Sequence, residues 1–208
     1  SLEVEAINPK KIRTILYGKP EILALDWGTL DFLSEKQKKQ IEREQKKRQI
    51  SKMFVSAKDK IIWERVILDN GEVKEEFWLY ENSKMEQISS KMPSITLTSQ
   101  NAYLLAKVTK SKEHLKWEPV KLTAEKNVEI IQKEGTAKGE FFEWLRIKDK
   151  DYKMRLEQNS VILLKNVTLG NMISMGDTLS FEKGSKKRKE AREENIEIRS
   201  KNPMFLIS

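Results

Sequence analysis

The two-residue alternation in Tyr152-Lys153-Met154-Arg155-Leu156-Glu157 constrains this chain most strongly, with apolar groups at one parity and charges at the other. Successive side chains of a strand point to opposite faces, so this pattern specifies a strand with one dry face and one wet face. Further extended runs crowd the chain after Pro119, at residues 127–132, 140–147, 161–169, 177–181 and 195–199. Strands this close leave no room for the crossover helices of parallel βαβ units, so neighbours are expected to pair antiparallel as a meander or a small barrel. Residues 135–139 and 148–150 read as hairpin-length connections, and 183–194 as a longer charged excursion. No internal repeat of fixed period is visible.

The sharpest local signal lies between residues 60 and 80. Asn70-Gly71 separates two strand-like runs and predicts a two-residue type I′ turn with positive φ at both positions. With Asp69 opposite Glu72, that turn sets Trp63 against Trp78 and Arg65 against Glu76. Ile62, Val66, Leu68, Val73, Phe77 and Leu79 are left as the core face. The first face is amphipathic, and Trp63, Arg65, Glu76, Trp78 and Tyr80 form a candidate partner surface on it.

Before the hairpin the chain changes character. Residues 12–17 and 21–25 read as short extended pieces punctuated by Gly18 and Pro20. Ser34 can cap a helix, and residues 35–53 are built from Glu, Lys, Gln and Arg without Gly or Pro, which predicts one long polar helix. Its apolar content is thin, so it reads as a solvated spacer. Residues 103–108 fit either a short helix after Thr98 or Ser99 as cap or a strand, the run being too short for periodicity to decide, and helix is the expectation. The expected fold class is therefore mainly β (α+β), an antiparallel meander or small barrel with a polar helix near the N-terminus. Residues 1–55 would hold the extended segment and helix, and 56–208 the β-rich domain, with 120–135 as the place where it would divide.

The chemistry open to the chain is narrow. The 208 residues contain no cysteine and a single histidine, His114. Disulfides, thiolate metal sites, iron–sulfur clusters, cysteine nucleophiles and multi-histidine metal sites are excluded, and no cofactor is expected. Only eight glycines are present and none forms a phosphate-binding pattern. His114 lies in a polar stretch and reads as a surface residue. Asn166-Val167-Thr168 matches a glycosylation sequon in a strand-like setting. No apolar run approaches the roughly 20 residues of a membrane-spanning helix.

The net charge of +8 raises a nucleic-acid reading, although 31 of the 40 basic residues are lysine and planar phosphate recognition favours arginine. The excess is concentrated in residues 35–48 and 183–201, each with a local surplus of four. The candidate anion-binding residues are Lys38, Lys39, Arg43, Lys46, Lys47 and Arg48 in the first segment. In the second they are Lys186, Lys187, Arg188, Lys189 and Arg192.

Three motifs carry other readings. Asp69, Glu72 and Lys74 resemble the Asp…Glu-x-Lys arrangement of magnesium-dependent nucleases, although Asp-Asn-Gly-Glu is also an ordinary polar turn. Gly176-Asp177-Thr178-Leu179-Ser180 resembles the opening of a LysM peptidoglycan-binding module over five residues. The helix expected next is replaced by Phe181-Glu182-Lys183-Gly184 and a lysine cluster, so the segment reads as a Gly-Asp turn entering a strand. Residues 176–199 also look like the closing hairpin of an OB-type barrel, without the aromatic strand motifs used for base stacking.

The expectation is a non-catalytic structural or assembly module that binds other proteins or its own copies through sheet edges and amphipathic faces. Nucleic-acid binding by the two basic segments is the alternative, and a magnesium-dependent nuclease the remote one. A start at Ser1 and the absence of cysteine are compatible with a bacterial extracytoplasmic domain that has lost an upstream segment.

Overall fold

The computed structural model describes residues 1–25, 51–89, 94–110, 115–133, 135–148, 151–166, 170–183, 194–199 and 204–207. Among the described residues thirteen strands form one antiparallel sheet: β1 Leu2–Asn8, β2 Lys11–Tyr17, β3 Glu21–Leu25, β4 Ser51–Ser56, β5 Lys60–Ile67, β6 Val73–Ser89, β7 Ile95–Lys110, β8 Leu115–Gln132, β9 Gly135–Lys148, β10 Asp151–Asn166, β11 Gly170–Lys183, β12 Glu194–Arg199 and β13 Met204–Ile207. The main path runs β1-β2-β5-β6-β7-β8-β9-β10-β11-β12. β4 pairs with β6 and carries β3, and β13 pairs with β11.

The fold class differs from the sequence expectation in two ways. No helix occurs among the described residues, so the class is all-β, and the sheet does not close because β1 and β12 do not pair with each other among those residues. Most of the expected 35–53 helix lies outside the described residues, and its last part, Ser51 to Met53, belongs to β4. The helix expected at 103–108 is the second half of β7. There Ala102, Leu104, Ala106 and Val108 are buried in strict alternation with half-buried neighbours, and cross-strand partners on both sides settle what a short apolar run leaves ambiguous. Residues 135–139, expected as a connection, begin β9 and pair with β8.

Strands β6 to β11 are 14 to 18 residues long, and a corner interrupts each of them. In β6, β8 and β10 the corner is a pair of consecutive left-handed residues: Glu81-Asn82 (φ 59° and 47°), Lys126-Asn127 (61° and 54°) and Gln158-Asn159 (61° and 54°). Each pair faces one unpaired residue of the neighbouring strand, Gln100, Glu140 or Asp177, because registration breaks across them. This is a bulge repeated along the sheet, and asparagine suits it because its short amide tolerates the left-handed region. The opposing strand also satisfies the corner backbone: the Glu81 N–H donates to Asn101 Oδ1 at 3.3 Å and the Asn127 N–H to Glu140 Oε2 at 3.2 Å.

Small residues line the inside of the bend. Ser83, Ser99 and Ser160 are buried there, and the Ser83 and Ser99 hydroxyls lie 2.7 Å apart. A Cβ built on Gly139 would stand 2.9 Å from Leu156 side-chain atoms and 3.0 Å from the Glu157 carbonyl oxygen, so only glycine fits. The bend brings the inner faces of the two halves of the sheet into one apolar cluster, with Met53, Val55, Met85, Leu97 and Val128 from one half. The other half contributes Phe77, Leu79, Leu104, Leu122, Phe142 and Trp144. Leu122 and Ile130, on opposite sides of the β8 corner, line the same cavity of about 10 Å³, which is at the lower limit of room for one water.

One inner row follows the core across nine strands: Leu2, Leu16, Ile61, Leu79, Ala102, Ala124, Phe142, Leu156 and Leu179. It is buried from Ile61 to Leu179, partly covered at Leu16, and 61% exposed at Leu2. The apolar face therefore extends past its own cover at the β1 end.

Candidate partner-binding surface

The hairpin between β5 and β6 sets which side chains can act together. Ile67 pairs with Val73, the Leu68 N–H donates to the Glu72 carbonyl at 2.8 Å, and the Gly71 N–H donates to the Leu68 carbonyl at 2.9 Å. The loop is thus three residues, Asp69-Asn70-Gly71, with a left-handed conformation at Gly71 alone (φ 79°). It is a turn followed by a glycine bulge, not the expected two-residue turn. Asn70 uses its Oδ1 to accept the Glu72 N–H at 3.0 Å and so favours the longer loop. The extra residue slides the register by one, which exchanges faces on one strand relative to the other.

Trp63 consequently pairs with Phe77 rather than Trp78, and Arg65 with Glu75 rather than Glu76. Trp63 and Arg65 share the inner face with Phe77 and Leu79, whereas Glu76, Trp78 and Tyr80 share the outer face with Glu64 and Ile62. The five residues of the candidate partner surface therefore lie on both sides of the sheet.

The inner group is a polar plug beyond the apolar rows. The Glu75 carboxylate is buried, accepts two hydrogen bonds from Arg65 at 2.8 and 2.5 Å on one oxygen, and accepts the Trp117 indole N–H at 2.7 Å on the other. Arg65 also stands 5.6 Å from the Trp63 ring centroid, and Trp63 stacks on Phe77 at 6.0 Å. These contacts satisfy Glu75 internally and leave it committed to Arg65 and Trp117.

The outer group is a half-exposed ladder. Trp78 packs against Tyr103 at 5.4 Å, the Tyr103 hydroxyl donates to Glu76 at 3.1 Å, and Lys60 stands 5.0 Å from the Tyr80 ring. Burial, then the adjacent Glu76 charge and the hydrogen bond to it, raise the Tyr103 pKa. Glu64 is buried between Arg13 Nε and Lys11 Nζ, each at 2.6 Å. Burial pushes its pKa up, but the hydrogen bonds and charges of Lys11 and Arg13 outweigh that and hold it below the usual carboxylate value.

The turn acids engage separate lysines. Asp69 is bound by Lys10 at 2.6 Å and Glu72 by Lys107, whose hydrogen bond lowers the Glu72 pKa. Lys74 stands beside Lys107 in the β6–β7 register. Among the described residues no group of three acidic, histidine or cysteine side chains is placed to hold a metal ion, and no helix is long and apolar enough to cross a membrane. Lys38, Lys39, Arg43, Lys46, Lys47, Arg48, Lys186, Lys187, Arg188, Lys189 and Arg192 lie outside the described residues, as does His114. Gly176 to Ser180 run through the interior of β11, with Asp177 at its corner, rather than entering a strand from a turn.

The sheet edge at β1 has no counterpart among the residues that the sequence singles out. Ser1 and Tyr17 exchange both backbone hydrogen bonds, at 2.9 and 3.3 Å. Antiparallel pairs alternate, so Glu3 and Glu5 also bond to β2, while the N–H and C=O groups of Leu2, Val4 and Ala6 point to the other side of β1, where no strand pairs among the described residues. The side chains of those three lie on the inner face, in line with Leu16, Thr14 and Ile12. The signal was the plain alternation Leu2-Glu3-Val4-Glu5-Ala6. Comparison with protein-family models, with curated proteins and with solved structures gives no match.

Proposed function

We propose that this protein is a non-catalytic assembly module that binds other proteins by adding a strand at the edge of its sheet. The observation that carries this reading is that, among the described residues, β1 has backbone groups with no strand partner and exposed apolar side chains on the same three residues, Leu2, Val4 and Ala6. An added strand would complete the hydrogen bonds of an edge and extend the inner face at once, which is how strand addition obtains affinity from the main chain and specificity from alternate side chains. The internal pairing of Glu75 and of the turn acids also favours a scaffold over a reaction centre.

A photo-crosslinking side chain at position 2 or 4, installed in cells that make the protein, is expected to capture a second polypeptide. Val4→Pro should abolish that capture. Exclusive recovery of uncrosslinked monomer would remove the reading. Nucleic-acid binding by the basic segments 35–48 and 183–201 is the rival, favoured by their concentration of charge. An anisotropy titration separates the two, since phosphate contacts weaken steeply with salt.

A further inference from the structure

The outer side of the β1 edge carries Glu3 and Glu5 between the three apolar inner residues. Glu3 meets the Tyr17 hydroxyl at 3.3 Å and Glu5 meets Arg13 at 3.7 Å, and Glu5 stays 65% exposed. Both carboxylates belong to the strand that an incoming chain would touch.

We infer that β1 is a docking edge for an extended segment of a different protein in which apolar residues alternate with lysine or arginine. The inference rests on the edge-pairing function proposed above and specifies its partner. The free backbone groups sit on residues 2, 4 and 6, so an added antiparallel strand must place its own free residues opposite those. If two copies of β1 paired in this way, even residues would face even residues, and the registers that set Val4 opposite Leu2, Val4 or Ala6 would each bring glutamates opposite one another. In the centred register, with Val4 opposite Val4, Glu3 faces Glu5 twice, with Cβ atoms about 5 Å apart. Like charges at that distance oppose pairing, so the registers with the longest overlap disfavour a second copy of the edge.

A strand with basic residues at the odd positions removes the conflict and keeps apolar side chains over Leu2, Val4 and Ala6. The sheet already uses this arrangement internally. In β10, Tyr152-Lys153-Met154-Arg155-Leu156 alternates apolar and basic residues, and Arg155 lies directly opposite Glu143 of β9, at 3.6 Å. On the other side of β1, Arg13 of β2 occupies the same position relative to Glu5.

The test uses the full chain with two short synthetic peptides, one alternating valine with lysine and one alternating valine with glutamate, followed by calorimetry and by anisotropy of a labelled peptide. The lysine peptide should bind roughly three- to thirtyfold more tightly than the glutamate peptide, the combined effect of two cross-strand charge pairs. The double variant Glu3→Lys, Glu5→Lys should reverse that order. Val4→Pro should abolish binding of both peptides; it removes an N–H that the β1–β2 alternation turns away from β2 and that has no strand partner among the described residues, and circular dichroism verifies that the sheet is retained.

Equal binding of the two peptides, lost in Val4→Pro, would overturn the charge preference and leave edge pairing standing. Binding that survives Val4→Pro would overturn both. Failure of the double variant to reverse the order would overturn the inference.

Discussion

Leu79 and Leu2 lie in the same row of the sheet, on the same face, three strand pairings apart, yet Leu79 is 1% exposed and Leu2 is 61% exposed. Both come from strands that present apolar residues inward with period two. Their difference lies in what stands across from them: the second half of the sheet folds over the row at Leu79 and does not reach Leu2. Alternation therefore decides which face a residue occupies, and the extent of the opposite layer decides whether that face is dry. The centre of the row gives stability, and its uncovered end gives a surface.

The largest test of this contrast is Leu79→Ala. A fully buried leucine truncated to alanine leaves a cavity in a core that relaxes only partly, so about 2–5 kcal/mol should be lost, read from urea unfolding. A loss under about 1 kcal/mol would mean that the two halves do not pack as closely as the burial of Leu79, Leu104 and Leu122 requires.

Next in size is Gly139→Ala. It acts on the bend that creates the covered half, since the added methyl meets both Leu156 and the Glu157 backbone. Overpacking at such a site costs typically about 1–3 kcal/mol. A neutral outcome would show that the corner can open without cost and that the close approach of Gly139 to Leu156 does not hold the bend.

The corners also show where sequence reading runs out. The strands 12–17, 21–25, 140–147 and 151–157 are legible because each is a local alternation or apolar run bounded by turn residues, and structure places all four in strands. The continuation of β10 from Leu156 through Gln158-Asn159 into Val161 is not legible as one strand, because an asparagine pair position there reads as a break. Only three occurrences together, Glu81-Asn82-Ser83, Lys126-Asn127-Val128 and Gln158-Asn159-Ser160, reveal a shared corner, and their spacing varies because the hairpins differ in length. Sequence alone sets the five residues of the candidate surface on one face, whereas the structure divides them between two, because the three-residue loop that Asn70 favours by its hydrogen bond to Glu72 is not specified by composition. The β1 edge was within reach, because its alternation and its two glutamates need no tertiary information.

Charge pairing sharpens the comparison on the outer face. Glu64 holds its proton less readily in the folded chain than in the unfolded one, so its contribution to stability is present above the ordinary carboxylate pKa near 4.5 and is lost as pH falls through the lower folded value. Glu64→Gln should lower stability by about 1 kcal/mol at neutral pH and should flatten the acid limb of a plot of unfolding midpoint against pH. The gap between the two proteins should close in acid. A constant gap at every pH would mean that Glu64 acts by shape alone and that Lys11 and Arg13 contribute nothing through charge.

The smallest effect belongs to the uncovered end. Leu2→Ala removes as many carbon atoms as Leu79→Ala, from the same row, but those atoms are already mostly in water, so the change in stability should stay within about 0.5 kcal/mol. The same variant should nevertheless weaken capture of a strand at β1, because the leucine would be buried only when a partner covers it. Urea unfolding of the free protein and crosslinking at position 4 read the two quantities separately. A stability loss comparable to that of Leu79→Ala would show that Leu2 is already covered in the free chain, leaving no surface for a partner. Unchanged stability together with weakened capture would place the contribution of Leu2 in the complex and not in the fold.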